Sequence, residues 1–234
     1  AYPADIAFVR TVTADQALGD TALSILFAKG ASNDLPYFLA AFSDRRSSAA
    51  KILACSAVMR WGDDAEKTRI IRSALSGDGA LVSGALISVK GFSHPSLYPD
   101  IRRLVRTGDT PSIRLLAAEA LADYDTEDAW PYLISSLKEE YSDVRTPLAV
   151  DVFVSVISLG ISSVFDKLSA SASRSEFSSR RERIASVLKR RTGMNLSGYA
   201  AWREWGVLRG MTVDGINVIQ LLWSADPLLR GKAA

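Results

Sequence analysis

One histidine, one cysteine and three adjacent carboxylate pairs are the side chains here best suited to chemistry. A lone cysteine excludes an intramolecular disulfide and a multi-cysteine metal site, and a lone histidine excludes a His-rich metal centre. His94 stands in Ser93-His94-Pro95, where a helical pattern begins, and reads as a cap-region side chain rather than a general base. Cys55 lies among Ile52, Leu53, Ala54 and Val58. It reads as an inert core thiol with no basic partner near it. The pairs Asp63-Asp64, Glu127-Asp128 and Glu139-Glu140 fall at helix ends or turns, where capping and solvation account for them. No Gly-x-Ser-x-Gly elbow, phosphate-binding Gly-x-x-x-x-Gly-Lys loop or dinucleotide fingerprint occurs. The chain is therefore expected to be non-enzymatic, with no catalytic residue, no metal and no cofactor.

The elements that carry these residues repeat. Leu26, Val58, Val89, Leu121 and Val152 follow one another at intervals of 32, 31, 32 and 31. Pro36, Thr68, Pro99, Pro131 and Ser162 keep the same intervals, and Ala22, Ala54, Ala85 and Ala117 run in step. A period of this length is one supersecondary unit stacked on itself, with the alanine column letting helix backbones approach.

Each unit reads as two helices. In the clearest one, Thr110 is a good N-cap and Pro111 suits the first helical position. Ile113, Leu116, Ala117, Ala120 and Leu121 then recur at helical spacing. Thr126 caps a second helix with Pro131 in its first turn and Leu133, Ile134 and Leu137 as its apolar stripe. The spacing predicts first helices at 17–28, 46–60, 79–90, 111–123 and 143–158, and second helices at 34–43, 64–76, 95–106, 127–139 and 161–169. Gly30, Gly62, Gly91 and Gly160 punctuate the turns. Ile6, Phe8, Val9 and Val12 predict one more short helix in front, a half-unit or N-terminal cap.

The runs Ile113-Arg114-Leu-Leu-Ala-Ala-Glu-Ala-Leu121, Ala129-Trp-Pro-Tyr-Leu-Ile-Ser-Ser-Leu-Lys138 and Asp143-Val144-Arg145 resemble a HEAT-like repeat. They are similar in particular to the short bacterial form typified by phycobilisome lyase proteins. The resemblance covers about residues 16–169. It implies an all-α fold, a right-handed α-α superhelix or solenoid of about five two-helix HEAT-like repeats with N- and C-terminal capping helices. Two domains are expected: 1–170, the repeat array with its N-terminal cap, and 171–234, a C-terminal helical cap packed on it.

After Ala170 the repeat fades. Ser169 to Ser179 is serine-rich and reads as a loop or linker. A basic helix follows. Seven basic and two acidic residues lie between Arg174 and Arg191, a local net of +5. Trp202 and Trp205 share a face of the next helix. They read as a hydrophobic plug, with an aromatic binding patch as the alternative. The Thr192-Gly193 turn leading to Trp-x-x-Trp resembles a tail seen after other bacterial HEAT-like arrays. Val213 to Leu222 is expected to be a helix folded onto the array; exposed, it would serve as a homodimer surface.

With 48% apolar and 23% charged residues, the composition is that of an ordinary soluble globular protein. The net charge of +2 is too small to force a nucleic-acid or anionic-membrane reading. No apolar run reaches the roughly 20 residues that span a bilayer, and no signal peptide is read. Ala1 in place of a methionine fits a cleaved precursor or a trimmed chain, so a cytoplasmic and an exported location stay open.

What remains is surface. In HEAT-like solenoids the second helices line the concave side. Counting from the proline column, one stripe turned away from the core carries Tyr37, Arg69, Arg72, Arg103, Arg106 and Tyr132. Arginine and tyrosine are frequent binding hot spots; a solvated helix face is the plainer alternative. The expected function is an interaction scaffold for a protein or peptide partner held in the concave groove. A nucleic-acid-binding protein like the DNA glycosylases of this architecture and a bilin lyase-like subunit are the alternatives.

Overall fold

The computed structural model describes residues 3–15, 17–44, 46–138, 172–217 and 219. The described residues form helices joined by turns, with one isolated β-bridge and no strand. The chain divides into two compact units, Ala1–Asp100 with Thr146–Ser173 and Ile101–Arg145 with Arg174–Ala234.

In the first unit the helices are α1 (Pro3–Thr11), α2 (Gly19–Lys29), α3 (Leu35–Ser43), α4 (Ser48–Trp61), α5 (Asp64–Ala74) and α6 (Gly79–Ser88). Helix α7 (Tyr98–Thr107) follows a 3-10 turn at Pro95–Leu97, and from Ile101 onward it belongs to the second unit. Short polar side chains set the starts. Ser47 Oγ accepts the Ala50 amide, Asp63 that of Glu66 and Asp78 that of Leu81. Each meets a donor that the first helical turn would otherwise leave unpaired.

The first helices stack, α2 on α4 and α4 on α6. Leu26, Val58 and Val89 are buried at this stack, as are Ala22, Ala54 and Ala85. The period is visible as contact. Ser56 Oγ lies 3.1 Å from Ser88 Oγ, 32 residues on. Arg60 donates to the Phe27 carbonyl at 3.0 Å. Arg46 clasps the turn after α1, donating to the carbonyls of Thr13 and Asp15. Helix α1 is anchored by Arg10, whose Nε meets buried Asp34 Oδ1 at 2.6 Å, while Asp34 Oδ2 accepts the Ala31 amide. Of the turn glycines, Gly91 has the left-handed φ expected of it, +80°. Gly30 and Gly62 are extended instead. Space selects glycine at Gly62, where a Cβ would come 2.8 Å from the Val58 carbonyl oxygen.

The second unit contains α8 (Pro111–Leu121), a 3-10 turn at Glu127–Ala129, α9 (Trp130–Ser135), α10 (Ala172–Thr192) and α11 (Gly198–Leu208). Thr110 caps α8 through the Ile113 amide. Helices α7 and α9 begin later than the spacing predicts. Each carries proline as its second residue, and Pro99 and Pro131 have no N–H to bond the carbonyls of Pro95 and Glu127 four residues back; those carbonyls accept the Tyr98 and Trp130 amides instead, and the predicted first turn becomes 3-10. The fifth unit expected at 143–158 and 161–169 lies outside the described residues.

Two expectations for the C-terminal part are overturned. The serine-rich stretch is not a loop from Ala172 onward but the first turns of α10. Phe177, Arg180, Ile184 and Leu188 are all buried on one face of it. Serine costs a helix only about 0.5 kcal/mol relative to alanine, less than burying such a stripe returns. Val213 does not begin a helix. It pairs with Ile216 in an antiparallel bridge around Asp214 (φ +52°) and Gly215 (φ +78°). Two successive residues at positive φ make the tight turn that Asp-Gly favours. The expected remainder, through Leu222, lies outside the described residues except for Asn217 and Ile219.

Candidate functional site

The second helices turn the expected faces inward. On α5, Ile70, Ile71 and Ala74 are buried, while Arg69 and Arg72 are exposed. On α7, Ile101, Leu104 and Val105 are buried, while Arg103 and Arg106 are exposed. Tyr37 on α3 and Tyr132 on α9 are half-buried.

In the first unit, Arg69 and Arg72 line a shallow hollow of about 810 Å³ with Asp64, Thr68, Ser73 and His94. Arg72 is already engaged. Its Nη2 donates to the Ser96 carbonyl at 2.5 Å and its Nε lies 3.4 Å from Asp100 Oδ2. His94 caps the 3-10 turn, accepting the Ser96 amide on Nδ1, and its ring stacks on Phe92. Tyr37 does not line this hollow.

In the second unit, the Arg106 guanidinium lies 4.7 Å over the Tyr132 ring. Arg102, which the stripe did not include, approaches the same ring at 5.8 Å. Stacking on an aromatic face holds a guanidinium in place at little solvation cost. Arg114 and Lys138 were also missed. Both line a cavity with Arg106 and Tyr132. Arg114 sat in the Val-Arg-like opening of a first helix, and Lys138 at the end of a second, so neither showed in a stripe counted along second helices.

The remaining reactive side chains have structural roles. Cys55 is buried, and burial pushes its thiol up to about 12. Asp63 caps α5, and Asp64 lies 3.4 Å from Lys67. Glu127 and Asp128 open the 3-10 turn before α9; Glu139 and Glu140 lie outside the described residues. No group of three His, Cys, Asp or Glu side chains among the described residues could hold a metal ion.

The basic helix is largely spent on packing. Arg180 is buried and donates to the Glu119 carboxylate, which Arg183 also approaches at 3.0 Å. Arg191 donates to the Tyr124 carbonyl at 2.5 Å and pairs with Asp125 at 3.3 Å. Trp202 is 1% exposed and meets Trp205 edge-on, and Trp205 packs against Trp130 of α9. Trp202 is thus a core side chain.

Helical pairs at a 31–32-residue period, with first helices stacked on an alanine column, define an all-α repeat protein of the solenoid-like class. Residues 69–150 match the family model of HEAT repeats, a span holding Arg69, Arg72, Arg103, Arg106 and Tyr132 but not Tyr37. That stretch of the chain carries HEAT-like repeats. No curated protein and no solved structure matches the chain. HEAT repeats are commonly protein-interaction scaffolds. Among the described residues no helix is long and apolar enough to cross a membrane.

Proposed function

We propose that this chain is a non-enzymatic scaffold or adaptor that binds a protein or peptide partner through the concave groove its second helices line. The observation that carries this reading is the split of α5 and α7 into a buried aliphatic face and an exposed arginine face. Tyr132 stands against Arg106 on the exposed side. Tyrosine loses little entropy on ordering, and arginine and tyrosine are both enriched among the residues that dominate interface energetics. Tyr37, Arg69, Arg72, Arg103, Arg106 and Tyr132 are the proposed contact residues. The C-terminal segment stays a candidate homodimer surface.

Replacing Arg69, Arg72, Arg103 and Arg106 together with alanine tests this. The variant is expected to keep the wild-type circular dichroism spectrum and to lose the partner that the wild type captures in a pull-down. Capture of the same partner by the quadruple variant sinks the groove assignment. Nucleic acid is the weaker candidate, because Arg180, Arg183 and Arg191 are committed to Glu119, Asp125 and a backbone carbonyl. A gel shift with random duplex DNA at low salt is expected to show no complex; a strongly salt-dependent shift would reverse that order.

A further inference from the structure

The turn at Asp214-Gly215 closes one side of a cavity of about 510 Å³ inside the second unit. That volume suits a side chain or a short peptide segment. Arg106, Arg114, Lys138, Tyr132, Thr212 and Asp214 line it. Three cations meet one carboxylate there, a local excess of two positive charges in a chain whose net charge is +2.

The four charges are not equivalent. Asp214 is held at one end, where Tyr199 Oη donates to its Oδ2 and Lys138 Nζ lies 3.7 Å away. Arg114 is tied to the wall through its Nη1, which donates to the Gly108 carbonyl at 2.7 Å. Arg106 is exposed, and its guanidinium rests on the Tyr132 ring. A stacked guanidinium keeps its N–H edge in its own plane, where it can grip a planar carboxylate with two parallel hydrogen bonds. Arg114 and Lys138 line the same cavity and add to its positive potential, Lys138 in part offset by Asp214.

We propose that this cavity is an acid-reading subsite: it takes a carboxylate of an acidic peptide segment, with Arg106 as the fork and Tyr132 as its backing. Arg114 and Lys138 supply the flanking charge. The inference rests on the peptide-binding reading above and assigns the chemistry of the partner. A polyphosphate backbone is the poorer guest. It needs a long basic track, and the basic helix α10 is committed to packing.

Selection of displayed random peptides on the immobilised full chain, followed by fluorescence anisotropy of the enriched sequences, tests this. The enriched peptides are expected to be rich in Asp and Glu. Their Asn and Gln counterparts should bind about tenfold more weakly or worse, the scale of one arginine hot spot. Arg106→Glu should lose binding to at least the same degree. Arg106→Lys, which keeps the charge and loses the fork, should fall between. Enriched peptides without acidic bias, or equal binding of the amide counterparts, overturn the acid-reading subsite. The groove reading then stands only if the quadruple alanine variant still loses those peptides. Peptides indifferent to both variants, or no enrichment at all, sink both. Displacement of the acidic peptide by a single-stranded DNA oligonucleotide at lower concentration overturns the inference in favour of a phosphate guest.

Discussion

Arg180 of α10 donates to the carboxylate of Glu119 on α8, 61 residues earlier in the chain, with both side chains nearly withdrawn from water. Arg183 shares that carboxylate from a more exposed position. Removing one member of a buried pair strands the other, so Glu119→Gln should destabilise the full chain by about 3 kcal/mol or more. The urea midpoint followed by circular dichroism measures it. A double replacement, Glu119→Leu with Arg180→Met, should regain most of the loss, because shape is kept and no charge is left unpaired. An unchanged midpoint for Glu119→Gln would show that the pair does not hold α10.

Asp34 links acidity to the N-terminal helix. Burial pushes its carboxyl up, but the hydrogen bond from Arg10, the Ala31 amide and the Arg10 charge together outweigh burial and hold it below the ordinary value. The native state therefore binds fewer protons than the unfolded state near this pH. The stability Asp34 contributes is complete above the unfolded carboxylate value of about 4. It is lost as the pH falls through the lower native value. Below about pH 4, α1 should become susceptible to an acid-active protease before the rest of the chain. In Asp34→Asn the α1 cleavage rate should be high already at neutral pH and nearly independent of acid. Equal protection of α1 at both pH values in the wild type would contradict this.

The stacking of α4 on α6 rests on a missing methyl. A Cβ at Gly84 would come 2.5 Å from Ile52 Cγ1 and 2.8 Å from its Cγ2. Gly84→Ala gains helix propensity of about 1 kcal/mol but overpacks a core contact at about 1–3 kcal/mol. The net expectation is a loss of up to about 2 kcal/mol. Ile52→Val should cost less in the Gly84→Ala background than in the wild type, and a double-mutant cycle on thermal midpoints reads that coupling. Simple additivity would mean that the helices shift apart rather than clash.

Much of this molecule is legible from its residues. The columns through Leu26, Val58 and Val89 and through Ala22, Ala54 and Ala85 mark the core, because a helix buries every third or fourth residue. Ser47, Asp63, Asp78 and Thr110 announce helix starts, because their side chains satisfy local amides. The faces of α5 and α7 follow from the same count. What stayed hidden depends on residues far apart in the chain. The serine-rich stretch folds because Phe177 and Arg180 are buried. A charge count treats Arg180 and Arg191 as available to a ligand, although Glu119 and the Tyr124 carbonyl already hold them. The turn at Asp214-Gly215 was legible and outweighed by the apolar run after it. The cavity beside it joins α7, α8, α9 and that turn, and a count along second helices alone brings in neither α8 nor the turn.

Arg72 separates a binding arginine from a structural one. It is half exposed, yet it reaches from α5 to the Ser96 carbonyl and to Asp100 at the start of α7. An exposed pair of this kind contributes at most about 1 kcal/mol, since water screens it and two side chains must be ordered to form it. Were Arg72 only a staple, Arg72→Ala and, to a smaller degree, Asp100→Asn would lower the thermal midpoint, and neither would change partner capture. If Arg72 is a contact residue that Asp100 holds in position, the two variants diverge. Arg72→Ala should then weaken capture by about tenfold. Asp100→Asn should weaken it much less, because the Ser96 carbonyl still orients the guanidinium and removing the carboxylate raises the local positive potential. Stability loss below about 1 kcal/mol in both variants is expected either way. The divergence in capture, measured on the full chain at low and physiological salt, therefore decides between the roles, and equal capture by both variants would remove Arg72 from the proposed surface.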